Sequence, residues 1–375
     1  MSYLVLARKW RPMRFEDLVG QDHVARTLGN AIKSNRVAHA FLFTGVRGVG
    51  KTTSARILAK ALNCMGDPET RAAGVDQGPT VSPCLKCSAC LEIAQGTDVD
   101  VREIDGASYN GVDEVRKLQD SIPYRPARDR FKIFIVDEVH MLSQNAWNAF
   151  LKTLEEPPPH VKFIFATTEV HKVPVTILSR VQRFDFKLIS AQVVAARVRH
   201  VLSQENIEAD DAAVSIVARE AAGSMRDAMS LLDQLIAWGG NQLRGDEVAR
   251  VLGVASHAVL YDLSRALVSG DAQRCLEVVA ELSDRGQDIP HAARDLLVAA
   301  ARLGRGQGER RPRALDRLAR RRGRGRETAG QASRSGRLAA PALRLHARLR
   351  RSGAQRSAAG RASRCCWCAW HAAPR

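Results

Sequence analysis

A chain of 375 residues is long enough for two or three domains and a substantial core. Its formal charge of +17 suggests a nucleic-acid binder, but residues 302–375 hold 21 Arg, no Lys and three acids (Glu309, Asp316, Glu327), which leaves 36 basic and 37 acidic residues in 1–301. The first 301 residues are therefore near neutral, and arguments from basic charge apply to the tail alone.

The opening segment MSYLVLARKW lacks the long apolar run of a secretion signal, and no stretch of 18 apolar residues follows it; both predict a cytoplasmic protein with no membrane partner. Val24, Leu28 and Ile32 then carry helical spacing. Residues 39–62, HAFLFTGVRGVGKTTSARILAKAL, read as an apolar strand, a glycine-rich turn and a helix. Within them Gly45-Val46-Arg47-Gly48-Val49-Gly50-Lys51-Thr52 fits the phosphate-loop pattern G-x-x-x-x-G-K-[ST] in full, in the strand–turn–helix context that separates a site from a chance match. The glycines let backbone N–H groups converge on phosphate oxygens, and the helix adds its positive end. Lys51 can reach the terminal phosphates, Thr52 offers a hydroxyl to Mg²⁺, and Thr53 follows in the first turn.

A loop rich in Gly, Pro and Asp is expected over 65–83. Around it lie Cys64 and the run Cys84-x2-Cys87-x2-Cys90, four of the eight cysteines. In a reducing compartment this clustering favours metal over disulfide: four thiolates can close a tetrahedral Zn²⁺ site, ligate an iron–sulfur cluster, or stay unliganded. Further strands are predicted at Val99–Ile104, Phe131–Glu138, Val161–Thr168 and Arg183–Leu188, separated by helical segments. That alternation predicts a parallel five-stranded sheet with helices on both faces. Ligands bind at the carboxyl ends of such strands, where the phosphate loop, Asp137-Glu138 and Thr168 all fall. Asp137 is suited to hold Mg²⁺ through water, and Glu138 to orient and polarise an attacking water. Hydrolysis gains from an added arginine at the γ-phosphate, for which Arg180 and Arg226 are candidates, each equally readable as a solvated helix arginine.

From 190 to 240 the pattern is helical throughout, with Val193, Val194, Val198, Val201 and Leu202 and later Met229, Leu232, Leu235 and Ile236 at apolar positions. Gly239-Gly240-Asn241 is a break, after which helical patterning runs from 246 to about 301. After Ala301 there is no Val, Ile, Phe, Tyr, Met, Asn or Lys. Two origins fit: a disordered basic arm contacting nucleic acid, or a GC-rich gene read in another frame, and the abrupt change favours the second.

The chain resembles the gamma/tau subunit family of the bacterial DNA polymerase III clamp loader, which are AAA+ ATPases. The resemblance is carried from residue 3 to about 300 by YLVLARKWRP (3–12), FEDLVGQ (15–21), HAFLFTG (39–45), DEVHMLS (137–143), LEEPP (154–158) and PVTILSR (174–180). It implies an ATPase domain over 1–189 with a zinc-binding insert at 64–90, a helical lid over 190–240, a helical collar over 241–301 that this sequence carries only in part, and the tail at 302–375. It implies ATP, Mg²⁺ and Zn²⁺ as ligands, the zinc on Cys64, Cys84, Cys87 and Cys90. Thr168, or less readily Thr167, resembles the group that senses the γ-phosphate; Arg180 resembles the arginine that reaches a neighbour's ATP, although Val181 stands where the family has Cys; Arg226 resembles the lid arginine that reaches the phosphates. His140 and His171 have no role in this reading. The implied work is loading a sliding clamp onto primed DNA, within a pentamer of clamp-loader subunits; the alternatives are an AAA+ branch-migration helicase, disfavoured by the cysteine insert and the ARKWRP opening, and a non-hydrolysing nucleic-acid-binding scaffold, which would need none of Lys51, Thr52, Asp137 and Glu138.

Overall fold

The computed structural model describes residues 4–67, 78–108, 118–254, 257–284, 289–290, 292–294 and 296–297. The chain divides into Met1–Val298 and Ala299–Arg375, and all described residues fall in the first unit. The Arg-rich tail from 302, with either origin suggested for it, therefore lies outside the described residues.

In chain order come α1 (Leu6–Lys9), α2 (Asp22–Lys33), β1 (Ala40–Thr44), α3 (Lys51–Asn63), α4 (Ser88–Gln95), β2 (Val101–Asp105), β3 (Lys132–Asp137), α5 (Gln144–Glu155), β4 (Val161–Thr167), α6 (Val175–Leu178) and β5 (Gln182–Asp185). The five strands form one sheet in the order β2-β3-β4-β1-β5, every neighbouring pair parallel. Period-2 alternation divides their side chains between two apolar layers. Phe41, Phe43, Ile133 and Ile135 pack with Leu58 and Leu62 of α3. Leu42, Phe134, Phe163 and Phe165 pack with Trp147, Phe150 and Leu154 of α5. The Phe150 ring lies 5.8 Å from both Phe163 and Phe165, so its loss should cost about 3–5 kcal/mol. Burial on both faces explains why β1, β3 and β4 read as continuous apolar runs, whereas the edge strands β2 and β5 are mostly exposed.

The fifth strand is shorter than the apolar pattern suggests, ending at Asp185 rather than 188. Beyond it the fully buried Gln21 side chain donates to Lys187 O at 2.7 Å and accepts from Lys187 N at 3.2 Å, taking the place of a ladder partner.

A helical layer follows: α7 (Ala191–Gln204), β6 (Glu208–Ala209), α8 (Asp211–Glu220), α9 (Met225–Gly239), β7 (Gln242–Leu243), α10 (Gly245–Val251), α11 (His257–Ser269) and α12 (Ala272–Asp284). Ser190, Asp210 and Ser224 cap α7, α8 and α9 by accepting from the N–H groups of Val193, Ala213 and Asp227, each cap contributing about 1 kcal/mol. The segment is not wholly helical, because β6 and β7 pair in parallel. Val193 is 37% exposed: Val194, Val198, Val201 and Leu202 set the buried face of α7, and a neighbour in sequence points about 100° away from it.

The N-terminal segment bridges this layer and the sheet. Leu6 is buried with Val194 and Leu232, and Trp10 Nε1 donates to Glu205 Oε1 at 2.6 Å. A few residues on, the buried Lys60 of α3 donates to Met13 O at 2.8 Å.

Candidate functional site

The phosphate loop links β1 to α3 and puts its backbone at the carboxyl edge of the sheet. Gly48 must be glycine: its φ is +78°, and a Cβ there would lie 1.9 Å from Ser224 Oγ and 3.2 Å from Arg226 Cβ. At Gly45, with φ +143°, a Cβ would meet Phe186 O at 2.5 Å. Val49 turns inward and is buried, Val46 and Arg47 are exposed, and Gly50 leads directly into α3. α3 has no side-chain cap at its start, so its first N–H groups remain available to an anion.

Lys51 is 6% exposed, and its Nζ donates to Gly45 O at 2.8 Å and Val46 O at 2.9 Å. Burial holds its pKa below the ordinary lysine range, against the opposing pull of Glu138 and Asp137. The ammonium thus sits in the loop's own carbonyl cradle, where a polyphosphate would supply stronger acceptors. Thr52 Oγ1 donates to Asp137 Oδ2 across the gap between α3 and the end of β3. A hydroxyl and a carboxylate in contact present two hard oxygens, the donor type that Mg²⁺ takes. Thr53 Oγ1 accepts from Arg11 Nε at 3.1 Å.

Glu138 follows β3 with φ +43°, an uncommon conformation for a residue with a side chain. Its Oε2 accepts from Thr168 Oγ1 at 3.0 Å and Thr168 N at 3.3 Å. Thr168, just past β4, is therefore the one of the two threonines that reaches the carboxylate. Thr167 is fully buried and its Oγ1 lies 3.1 Å from His140 Nδ1. Arg226 is the second residue of α9, and its N–H donates to Gly48 O at 3.2 Å, which sets that helix directly against the phosphate loop. Arg180 stands apart: its guanidinium donates to Thr176 O (2.7 Å), Ser179 Oγ (3.0 Å) and Glu155 Oε1 (2.7 Å) on its own surface.

The structure adds two residues to the site. Arg11 lies within the charge field of Arg56, Glu103, Arg226 and Asp137, and burial followed by Arg56 pushes its pKa down to about 10. Ser224 touches Gly48 and caps α9; Ser224-Met225-Arg226-Asp227, a hydroxyl three residues before an acid at a helix start, was the signal that could have found it.

The other end of α3 runs into Cys64. The sulfurs of Cys64, Cys84, Cys87 and Cys90 all lie within 4.8 Å of one another, with Cys64, Cys87 and Cys90 buried. Thiolates around one tetrahedral Zn²⁺ at about 2.3 Å stand roughly 3.8 Å apart, so these donors fit such an ion after a small contraction. An iron–sulfur cluster inserts several atoms between its thiolates and needs a wider set. Backbone N–H groups already point at sulfur: Cys84 N at Cys64 Sγ (3.3 Å) and Cys87 N at Cys84 Sγ (3.3 Å). Hydrogen bonds from Cys64 and Cys90 hold the Cys87 thiol well below the ordinary range. The contact with Cys87 pushes the Cys64 thiol up, and Cys64 followed by Cys87 push Cys90 up. Among the described residues this is the one group of three or more His, Cys, Asp or Glu placed to share a metal ion, and no helix among them is long and apolar enough to cross a membrane.

Comparison with known proteins places the chain. A family model for the DNA polymerase III delta subunit matches residues 20–190, one for the DNA polymerase III clamp loader subunit ATPase lid domain matches 193–241, and one for DNA polymerase III subunits gamma and tau domain III matches 243–334. DNA polymerase III subunit tau of Bacillus subtilis (strain 168) is 44% identical over 297 residues, covering 79% of this chain and 51% of that protein. The chain thus spans about half the length of that relative. DNA polymerase III subunit gamma of Buchnera aphidicola subsp. Acyrthosiphon pisum (strain APS) is 41% identical over 286 residues, 76% of this chain and 76% of that protein. Among solved structures, the Thermotoga maritima RuvB Holliday junction branch migration motor is similar at a TM-score of 0.48 and 16% identity, over 78% of this chain and 91% of that one, too distant to bear on function. By its matches to the gamma and tau proteins, the chain belongs to the gamma/tau subunit family of DNA polymerase III.

Proposed function

We propose that this chain is an ATP-driven motor subunit of the clamp loader in bacterial DNA replication, binding and hydrolysing ATP so that the assembly can place a sliding clamp on primed DNA. The reading assigns it ATP hydrolysis within a DNA-directed DNA polymerase holoenzyme in the cytoplasm, and other clamp-loader subunits as partners in a pentamer. Its layout is an ATPase domain to residue 189 with the cysteine insert at 64–90, a lid over 190–240, and part of a collar over 241–301. One observation carries the reading: Thr52 of the phosphate-loop helix already touches Asp137, beside a buried Lys51 and next to Glu138.

In the proposed reaction Lys51 exchanges the carbonyls of Gly45 and Val46 for phosphate oxygens. Thr52 and Asp137 would hold Mg²⁺, which supplies charge neutralisation at the β- and γ-phosphates when bound. The loop N–H groups from Gly45 to Thr53 hold the rest of the triphosphate, and Arg226, on the helix that meets Gly48, links the lid to it. Glu138 orients the attacking water, and Thr168 contacts the γ-phosphate. Cys64, Cys84, Cys87 and Cys90 would hold Zn²⁺ as a closed structural site with no position for substrate.

Arg180 acts on the ATP of a neighbouring subunit, which suits a guanidinium that faces its own surface and not its own phosphate loop. The test is Arg180→Ala in the assembled complex and in the isolated chain. The expected result is unchanged ATP affinity and hydrolysis slowed by roughly a thousandfold in the complex alone. An equal loss in the isolated chain would contradict action between subunits.

A further inference from the structure

We infer that His140 is a positioning residue for Glu138, keeping that carboxylate aligned when Thr168 turns to the γ-phosphate. The inference rests on the ATPase reading above and assigns a role to a side chain that reading leaves idle.

His140 lies on the single 3-10 turn Val139–Met141 that immediately follows Glu138, and its side chain is 7% exposed. A buried imidazole needs partners for both nitrogens. Nδ1 is 3.4 Å from Glu138 Oε2 and 3.1 Å from Thr167 Oγ1; Nε2 is 3.3 Å from Glu169 Oε1. The ring is thus wedged between two carboxylates from different elements. Glu169 is fixed in turn by Lys172 Nζ at 3.0 Å, has His171 Nε2 at 3.5 Å, and sends its own N–H to Thr167 Oγ1 at 3.0 Å. The imidazole has little freedom to leave Glu138.

Counting protons shows why that matters. Glu138 Oε2 accepts hydrogen bonds from Thr168 Oγ1 and Thr168 N and has His140 Nδ1 at 3.4 Å, and among the described residues no hydrogen bond reaches Oε1. One oxygen is therefore fixed by donors and the other is left to polarise a water. Thr168, however, has a single hydroxyl proton. When it is given to a γ-phosphate oxygen, the side-chain hold on Oε2 is lost, and a protonated Nδ1, hydrogen-bonded to Thr167 Oγ1 and 3.4 Å from Oε2, is the side-chain donor that can turn to take its place. The ring keeps the carboxylate pointing the same way in both states.

The test uses the full chain with three substitutions, His140→Ala, His140→Asn and His140→Gln, reading single-turnover ATP hydrolysis and equilibrium ATP affinity separately. An Asn amide sits where Nδ1 sits and can serve Oε2; a Gln amide reaches the Nε2 position and serves Glu169 instead. Expected for H140A is a rate lower by about tenfold to a hundredfold with ATP affinity within about threefold. H140N should recover most of the rate and H140Q should not, and these two carry the test if H140A folds poorly. The inference is overturned if H140A hydrolyses ATP normally, if affinity falls in step with rate, or if Asn rescues no better than Gln. Glu138→Gln, run in parallel, separates the failures. If E138Q hydrolyses at the wild-type rate, the role of Glu138 itself is lost; if E138Q is inactive while H140A is normal, only the role of His140 falls.

Discussion

The first turn of α3 carries Lys51 and Thr52, and the residue after its last turn is Cys64, roughly 20 Å away along the axis. The phosphate end is polar and partly open: its ammonium rests on the carbonyls of Gly45 and Val46 and its hydroxyl on the Asp137 carboxylate, and each of those bonds is weaker than the one a triphosphate or its metal would offer. The cysteine end is closed and mostly buried, with four soft donors already gathered. Between them the helix is buried along nearly its whole length, from Ser54 to Asn63. The contrast shows how one helix serves two kinds of site. A site that turns over substrate is built from contacts that can be exchanged, whereas a site that holds shape is built from contacts that have no better alternative.

Removing metal from the cysteine end should give the largest effect on stability. Chelation, or Cys90→Ser, is expected to lower unfolding free energy by several kcal/mol, read by thermal denaturation alongside elemental analysis, with about one zinc per chain before treatment and none after. A chain purified without metal and unaffected by chelator would erase the distinction between the two ends. Next in size, Lys51→Ala should weaken ATP by about a hundredfold to a thousandfold, roughly 3–4 kcal/mol, in equilibrium titrations, while the melting temperature stays near wild type. If that variant melts early, Lys51 belongs to the packing of the helix and not to an exchangeable site.

Asn63 probes the helix itself. Fully buried, it donates to Phe131 O at 2.9 Å and accepts from Phe131 N at 3.1 Å, pinning the end of α3 to the entry of β3. Asn63→Ala leaves both backbone groups short of a partner and should cost about 2–3 kcal/mol. ATP affinity should stay within about twofold, since sites this far apart act additively unless coupled. A large loss of ATP affinity in N63A would mean that the two ends report to each other through the helix.

The smallest effect is the sharpest contrast, the direction of proton flow. Lys51 has its pKa lowered in the free protein; phosphate anions raise it, so at alkaline pH below the ordinary lysine value of 10.5 ATP binding should take up protons. At the other end Cys64 and Cys90 have raised pKa values and hold their protons at neutral pH, so metal binding must release them. Calorimetric titrations in buffers of different ionisation enthalpy should therefore show opposite signs. Equal signs would contradict the assignment of one end to anion and the other to metal.

Much of this was legible in the sequence because its signals are local. Gly45 to Thr52 state a backbone requirement and a charge in eight consecutive residues, and Cys84, Cys87 and Cys90 state a ligand spacing. The continuous apolar runs of β1, β3 and β4 were legible because both faces of these central strands are buried, while β2 and β5 at the edges carry a weaker signal. What stayed hidden depends on residues far apart in the chain. Nothing near Gln21 announces that its amide replaces a strand at Lys187, and nothing near Arg180 announces Glu155. The two-residue strands β6 and β7 are too short to show alternation. His140 read as an ordinary histidine until the fold brought Glu138 and Glu169 to its two nitrogens.

The central claim is that one site binds and hydrolyses ATP, with Lys51 serving binding and Glu138 serving the chemical step. The most direct measurement is ATP affinity and single-turnover hydrolysis for the wild-type chain beside Glu138→Gln. The account predicts that wild type binds and hydrolyses, and that E138Q binds about as tightly while hydrolysis falls by about a hundredfold or more. Wild-type hydrolysis by E138Q, or a wild-type chain that fails to bind ATP with Mg²⁺ present, would contradict it.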